Sequence, residues 1–104
     1  MSGYVLHPQA YIDLDRIWDF IAEDSLDAAD RLREQIYNSI AALVQFPHQG
    51  HWRLDIASKR IRFQTVGNYL IAYAPDENPL LVLAVLHGRR NPRTIAAILR
   101  RWDR

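Results

Sequence analysis

The chain has 104 residues, a length that suits one domain with a single core, so we expect one domain over residues 1–104. No stretch approaches the ~18 apolar residues of a membrane helix and no signal-peptide pattern is present, which excludes a membrane-spanning protein and favours the cytoplasm. The absence of cysteine excludes disulfides and thiolate chemistry.

The net charge of +1 conceals a strong asymmetry. Residues 1–50 hold eight acidic and three basic residues, whereas residues 51–104 hold ten basic and four acidic residues. A basic half favours a polyanion or an acidic protein segment as partner, although acidic helices and basic strands that solvate opposite sides give the same pattern.

The first half predicts a strand and two helices. Tyr4-Val5-Leu6 is typical of a short strand, and Pro8 suits the first turn of a helix over about residues 8–23. The apolar side of this helix carries Tyr11, Leu14, Ile17, Trp18 and Ile21, and the opposite side carries Asp13, Asp15, Arg16, Asp19 and Glu23. Asp24 or Ser25 caps a second helix that ends near Gln45, before Phe46-Pro47. A joint this short makes the two helices an antiparallel hairpin.

Residues 47–58 are predicted to form a loop, which Trp52 pins to the domain. His48 and His51 have a spacing seen in metal sites, but no third ligand lies nearby in the sequence. We therefore expect no metal and no cofactor.

The second half predicts three antiparallel strands and a short helix. Residues 60–66 alternate in polarity, and Gly67-Asn68 suits a two-residue turn to residues 69–73. This turn pairs Val66 with Tyr69, Gln64 with Ile71 and Arg62 with Tyr73. Residues 80–86 are apolar throughout and predict a strand buried on both faces at the centre of the sheet. Asn91-Pro92 begins the last helix, which completes a β-α-α-β-β-β-α order of the α+β class.

The hairpin register divides the side chains between two faces of the sheet. The face expected to receive the helix hairpin carries Ile61, Phe63, Thr65, Leu70, Ala72 and Ala74. The face expected to remain bare carries Arg60, Arg62, Gln64, Tyr69 and Tyr73.

An ordered set of segments resembles the RelE/ParE superfamily of type II toxin–antitoxin toxins, and the ParE branch most of all. The segments are residues 17–25, residues 28–31, Phe46-Pro47, Arg62-Phe63, residues 66–73 and residues 85–91. The resemblance covers nearly the whole chain. It implies a toxin that inhibits DNA gyrase by protein binding and is neutralised by a tightly bound acidic antitoxin, in a hetero-oligomer. The antitoxin is expected to supply an amphipathic helix and an extended acidic tail.

The expected target-binding residues are Arg60, Arg62, Tyr69, Tyr73, His87, Arg89, Arg90 and Arg93. The alternative that the same superfamily implies is a RelE-like, ribosome-dependent mRNA endonuclease, for which His87, Arg62 and Arg90 are the catalytic candidates. Against it, Leu70 stands where RelE-like nucleases carry a basic residue, and residues 94–97 lack their Tyr or His. A third possibility is a non-toxic remnant that only binds a partner.

Overall fold

The computed structural model describes residues 3–103 and contains three helices and four strands in this part of the chain. The elements are β1 (Tyr4–Leu6), α1 (Pro8–Ala22), α2 (Leu26–Gln45), β2 (Arg62–Val66), β3 (Tyr69–Ala74), β4 (Leu80–His87) and α3 (Pro92–Leu99). The predicted α+β class and element order are confirmed. Across residues 3–103, no helix is both long and apolar enough to cross a membrane.

Side chains fix the beginnings of the helices. His7 Nδ1 accepts a hydrogen bond from the Gln9 N–H at the start of α1, and Ser25 Oγ accepts one from the Ala28 N–H at the start of α2. The two helices pack together, and Trp18 Nε1 donates to Asp30 Oδ1 across them at 3.0 Å. Trp18 therefore lies in the helix–helix contact with its polar atom satisfied.

The sheet has the order β1-β4-β3-β2. β1 pairs with β4 in parallel, and the other two pairings are antiparallel. The predicted hairpin register is confirmed residue by residue, and Gly67 adopts the positive φ (57°) that its turn requires. β4 lies between β1 and β3 and is buried on both faces except near its end, as its apolar sequence predicts.

β4 contains a β-bulge at Leu83. Ala72 pairs with Ala84 but Tyr73 pairs with Val82, so Leu83 has no partner of its own on β3. Consequently Leu83 and Ala84 both belong to the cluster on one face, while Val82 and Val85 belong to the cluster on the other.

The prediction of which face the helix hairpin covers was wrong. Leu14, Ile36 and Ile40 of the helices share a core with Ile71 and Tyr73. The opposite face, with Phe63, Leu70 and Ala72, is covered by α3 and residues 56–61. The turn correctly predicted which side chains share a face, but both faces of the sheet are covered. The apolar ring of Tyr73 packs beneath the helix hairpin, and its hydroxyl forms hydrogen bonds with Pro47 and Gly50.

Candidate functional site

A cleft of about 440 Å³ opens between α1 and the ends of β3 and β4. Asp13, Arg16, Ile17 and Phe20 of α1 form one side, and Tyr69, Val85, His87, Arg89 and Arg90 form the other. Its volume lies within the range of about 300–1,000 Å³ typical of ligand pockets. Four of the eight predicted target-binding residues line this cleft.

A tight turn after β4 places the two arginines at the cleft. The Arg90 N–H donates to the His87 carbonyl at 3.0 Å, which closes a turn over residues 87–90. The Gly88 N–H donates to the Asn68 carbonyl at 2.7 Å and so fastens this turn to the β2–β3 turn. A Cβ atom at Gly88 would lie 3.2 Å from that carbonyl oxygen, so the approach suits glycine. Arg89 and Arg90 are therefore presented by an anchored turn.

The His87 ring is oriented by two contacts. Its Nδ1 accepts a hydrogen bond from the Arg89 N–H at 3.1 Å, and the ring meets Tyr69 edge-on, with ring centroids 5.2 Å apart. Since Nδ1 accepts, the proton of the neutral ring lies on Nε2, which then acts as a donor. In this state, the ring offers a hydrogen bond to a bound group but no free lone pair for a general base.

The floor of the cleft contains a carboxylate with partners on both oxygens. Asp13 is 7% exposed; its Oδ1 accepts from Gln9 Nε2 at 2.7 Å and its Oδ2 accepts from the Val85 N–H at 3.0 Å. β1 ends at Leu6, which pairs with Val82, so no residue of β1 lies opposite Val85 on β4. The Asp13 carboxylate accepts the Val85 N–H in place of a β1 carbonyl. Asp13 thereby joins α1 to β4 beneath the cleft.

The three arginines of the cleft, Arg16, Arg89 and Arg90, are exposed and have no carboxylate partner within residues 3–103. The ion pairs in that part of the chain join Arg53 to Asp55 and His48 to Asp76, both outside the cleft. Phe20, beside these arginines, is 71% exposed. The cleft therefore combines unneutralised positive charge with accessible apolar surface.

Arg60 and Arg62 lie at the other end of the sheet. Arg62 pairs with Tyr73, whereas Tyr69 pairs with His87, and the separation of four positions between the two tyrosines corresponds to about 13 Å of strand. Arg62 donates to the carbonyls of His48 and Gly50 at 3.2 and 2.7 Å and stacks on Trp52. Arg60 lies over the Trp102 ring, 4.5 Å from its centroid. The arginines expected to bind the target therefore form two separate groups.

Tyr73 is fully buried, which contradicts its prediction as a target-binding residue. Its hydroxyl accepts from the Gly50 N–H at 2.9 Å and donates to the Pro47 carbonyl at 2.7 Å. Burial raises the pKa of this hydroxyl above its ordinary value. Tyr73 holds the loop before β2 in place and is not available to a partner. Arg93 is exposed at the start of α3, next to the turn that carries Arg89 and Arg90.

The α1 wall of the cleft was not predicted from the sequence. Arg16 and Phe20 are one helical turn apart and share a face, whereas the helical pattern puts Arg16 on the polar side of α1 and assigns Phe20 to neither side. The same pattern puts Asp13 on the polar side of α1, but in the structure Asp13 is buried. Phe20, a large apolar residue among the polar positions of an amphipathic helix, was the available signal for a binding surface.

No curated protein matches the sequence. Among solved structures, the chromosomal ParDE toxin–antitoxin system from P. aeruginosa is similar, with a TM-score of 0.67 and 18% identity; the alignment covers 81% of this chain and 92% of that one. At this identity the likeness shows a shared fold. The family model for the ParE toxin of the type II toxin–antitoxin system parDE matches residues 4–92. The chain therefore belongs to the ParE toxin family of type II toxin–antitoxin systems.

Proposed function

We propose that this chain inhibits DNA gyrase by binding to it, and that a cognate antitoxin neutralises it. Family membership supports a toxin with an antitoxin partner, and the resemblance to the ParE branch supports gyrase as the target. The observation that carries the proposal is the cleft, in which Arg16, Arg89 and Arg90 have no carboxylate partner among residues 3–103 and lie beside an exposed phenylalanine. Such a surface recognises an acidic or nucleic-acid-bound protein partner.

The target surface in this proposal consists of Tyr69, His87, Arg89, Arg90 and Arg93, together with Arg16 and Phe20 of α1. Arg60 is proposed only as a peripheral contact, because it lies at the far end of the sheet. Arg62 is not included, because its guanidinium holds the loop before β2 through the His48 and Gly50 carbonyls. Since gyrase acts on bacterial DNA, the proposal also places the protein in the cytoplasm.

The test is a supercoiling reaction with bacterial gyrase and relaxed plasmid. The expected result is loss of supercoiling with accumulation of cleaved plasmid when the chain is added. The paired change Arg89→Gln and Arg90→Gln should abolish inhibition, while Arg31→Gln with Arg33→Gln on α2 removes the same charge outside the cleft and should not. Unaltered supercoiling and cleavage in the presence of folded chain would contradict the proposal.

The mRNA-endonuclease alternative is tested in the same preparation. His87 lies beside Arg89 and Arg90, the juxtaposition that such chemistry needs. However, its Nδ1 is occupied by the Arg89 N–H, which disfavours it as a base. Codon-positioned mRNA cuts in a translation extract with unaffected gyrase would support this alternative. Inactivity in both assays would support a remnant that only binds its partner.

A further inference from the structure

We infer that His7 and His87 make the cleft sensitive to acid. In its neutral state each ring holds one side of the cleft through a backbone hydrogen bond, and protonation of the two rings releases both sides. The inference rests on the proposed function only for its consequence, which is weaker binding of the target in acid. The hydrogen bonds themselves do not depend on what the target is.

Each of the two histidines accepts a hydrogen bond from the backbone two positions later. The Gln9 N–H donates to His7 Nδ1 and the Arg89 N–H donates to His87 Nδ1, both at 3.1 Å. Both histidines are exposed and open to protons from solvent, and histidine gains its second ring proton between about pH 8 and about pH 5. An imidazolium ring carries a proton on each nitrogen and accepts no hydrogen bond. Acid therefore removes both acceptors.

The charged and titratable groups that line the cleft with His87 come from α1, from β3 and from the turn itself. They are Asp13, Arg16, Tyr69, Arg89 and Arg90. Both oxygens of Asp13 already accept hydrogen bonds from other groups. A protonated His87 thus shares the cleft with three guanidinium groups, and its charge adds repulsion at the turn that has lost a hydrogen bond.

His7 lies at the beginning of α1, where an added positive charge is unfavourable. The N–H groups of a first helical turn carry a partial positive charge, which a neutral acceptor satisfies and an imidazolium opposes. A small cavity beside His7 is lined by Gln9 and, from the far end of the chain, by Arg101 and Trp102. The Arg101 guanidinium is also positive. Protonation of His7 thereby removes the cap of α1.

Hydrogen bonds join the cap of α1 to the floor of the cleft. His7 holds the backbone of Gln9, whose side-chain Nε2 donates to Asp13 Oδ1 at 2.7 Å. Asp13 Oδ2 accepts the Val85 N–H at 3.0 Å, two positions before His87. Release at His7 therefore loosens the side of the cleft that α1 forms, and release at His87 loosens the turn that carries the two arginines.

A histidine at the other end of the sheet responds to acid in the opposite sense. His48 Nε2 lies 3.3 Å from Asp76 Oδ1, and protonation of His48 turns this contact into an ion pair. Acid therefore strengthens the contact between the loop before β2 and the turn between β3 and β4. The release that we infer is thus confined to the cleft.

The experiment measures amide hydrogen exchange by NMR in the isotope-labelled full chain from about pH 8 to about pH 5. The protection of the Gln9 and Arg89 N–H groups, corrected for the intrinsic effect of pH on exchange, should fall about five-fold, as for the loss of one capping bond. Arg93 is the internal control, because its N–H donates at 2.9 Å to Asn91 Oδ1, two positions earlier, and asparagine does not titrate. Its protection should not change.

Variants test whether the two rings cause the response. His7→Asn with His87→Asn keeps an acceptor oxygen at both places without a titratable ring, so Gln9 and Arg89 should stay protected in acid. The matched control, His48→Asn with His51→Asn, removes two histidines outside the cleft and should lose protection as the parent does. An unchanged melting temperature at neutral pH establishes that each variant is folded. The single changes His7→Asn and His87→Asn should each preserve only their own bond.

Three outcomes overturn the inference. The first is constant protection of Gln9 and Arg89 in the parent, and the second is an equal loss in the parent and in the variant with His7→Asn and His87→Asn. The third is an equal loss at Arg93, which would mean that acid loosens the chain as a whole. An acid response in a chain that never inhibits gyrase would refute the proposed function alone. Gyrase inhibition at neutral pH by a chain without this response would refute the present inference alone.

Discussion

The carboxylate of Asp13 on α1 accepts a hydrogen bond from the backbone N–H of Val85 on β4, 3.0 Å away and 72 positions later in the sequence. This contact lies where β1 has ended and β4 continues alone on that side. It satisfies a buried amide and sets the position of α1 against the sheet, and hence the width of the cleft.

Removing this carboxylate should destabilise the protein. Asp13→Ala leaves the Val85 N–H and the Gln9 amide without their acceptor, and we expect a loss of about 1–3 kcal/mol in the free energy of unfolding. Asp13→Asn retains an oxygen for Val85 and should cost less. Urea denaturation measures both, with the exposed neighbour Asp15→Ala as control. Equal stability of Asp13→Ala and Asp15→Ala would show that the bond contributes little.

Tyrosine burial predicts a loss of stability in alkali. Burial raises the pKa of Tyr73, and burial together with the nearby Tyr4 raises that of Tyr37, both from ordinary values of 10.0. Above pH 10 the unfolded chain releases these protons more readily than the folded one, so stability present below pH 10 falls as the pH rises towards the folded-state pKa values.

Tyr73→Phe should reduce the slope of stability against pH in that range, and Tyr37→Phe should reduce it separately. The two differ at neutral pH, where Tyr73→Phe alone removes the bonds to Gly50 and Pro47 and should cost about 1–3 kcal/mol. Denaturation curves at neutral and alkaline pH measure both effects. If the variant with both Tyr73→Phe and Tyr37→Phe loses stability above pH 10 as steeply as the parent, the alkaline loss does not come from these two tyrosines.

Gly50 and Gly67 should differ in their tolerance of substitution. A Cβ at Gly50 would lie 2.5 Å from Tyr73 Oη and 2.8 Å from the Phe63 carbonyl oxygen, so Gly50→Ala should displace the loop and lower the melting temperature. At Gly67 no atom of residues 3–103 lies within 4 Å of such a Cβ, and only its φ of 57° is restrictive. Gly67→Asn should therefore cost about 1 kcal/mol or less, because Asn tolerates this region. A Gly50→Ala variant as stable as the parent would contradict the packing described here.

Substitution of one group of arginines should lower stability, and substitution of the other should lower toxicity. Arg60→Ala with Arg62→Ala removes the bonds of Arg62 to the His48 and Gly50 carbonyls and should destabilise the protein by about 1–3 kcal/mol. Arg89→Ala with Arg90→Ala removes exposed charge and should leave the melting temperature unchanged while relieving growth inhibition in cells.

Thermal melting and growth of cells that express each pair are the measurements. The assignment of the cleft as the target-binding site is wrong if the variant with Arg89→Ala and Arg90→Ala melts at a lower temperature than the parent. It is also wrong if cells expressing this variant grow no better than cells expressing the parent.

The sequence predicted the fold well because local signals agreed with one another. The three helices begin at the positions predicted from Pro8, Ser25 and Asn91-Pro92. The hairpin has the register predicted from Gly67-Asn68. These are properties of a few neighbouring residues, so they can be read without knowledge of the rest of the chain.

The site could be predicted only in part, because it depends on contacts between distant segments. His87, Arg89 and Arg90 were identified from a basic run after a strand, but their meeting with Arg16 and Phe20 depends on how α1 lies across the sheet. The burial of Tyr73 depends on Pro47 and Gly50, which lie more than twenty positions earlier. Neither relationship leaves a periodic pattern in the sequence.

The bulge at Leu83 marks a position at which β4 could lose one residue. Elsewhere in a strand, losing one residue would turn every following side chain to the wrong layer. Here Leu83 and Ala84 face the same layer, so excising Leu83 would restore strict alternation and leave Val85 towards the helices and Leu86 towards α3. β4 thus contains one position at which a single-codon deletion is compatible with the two-layered interior, at the expense of one leucine's packing.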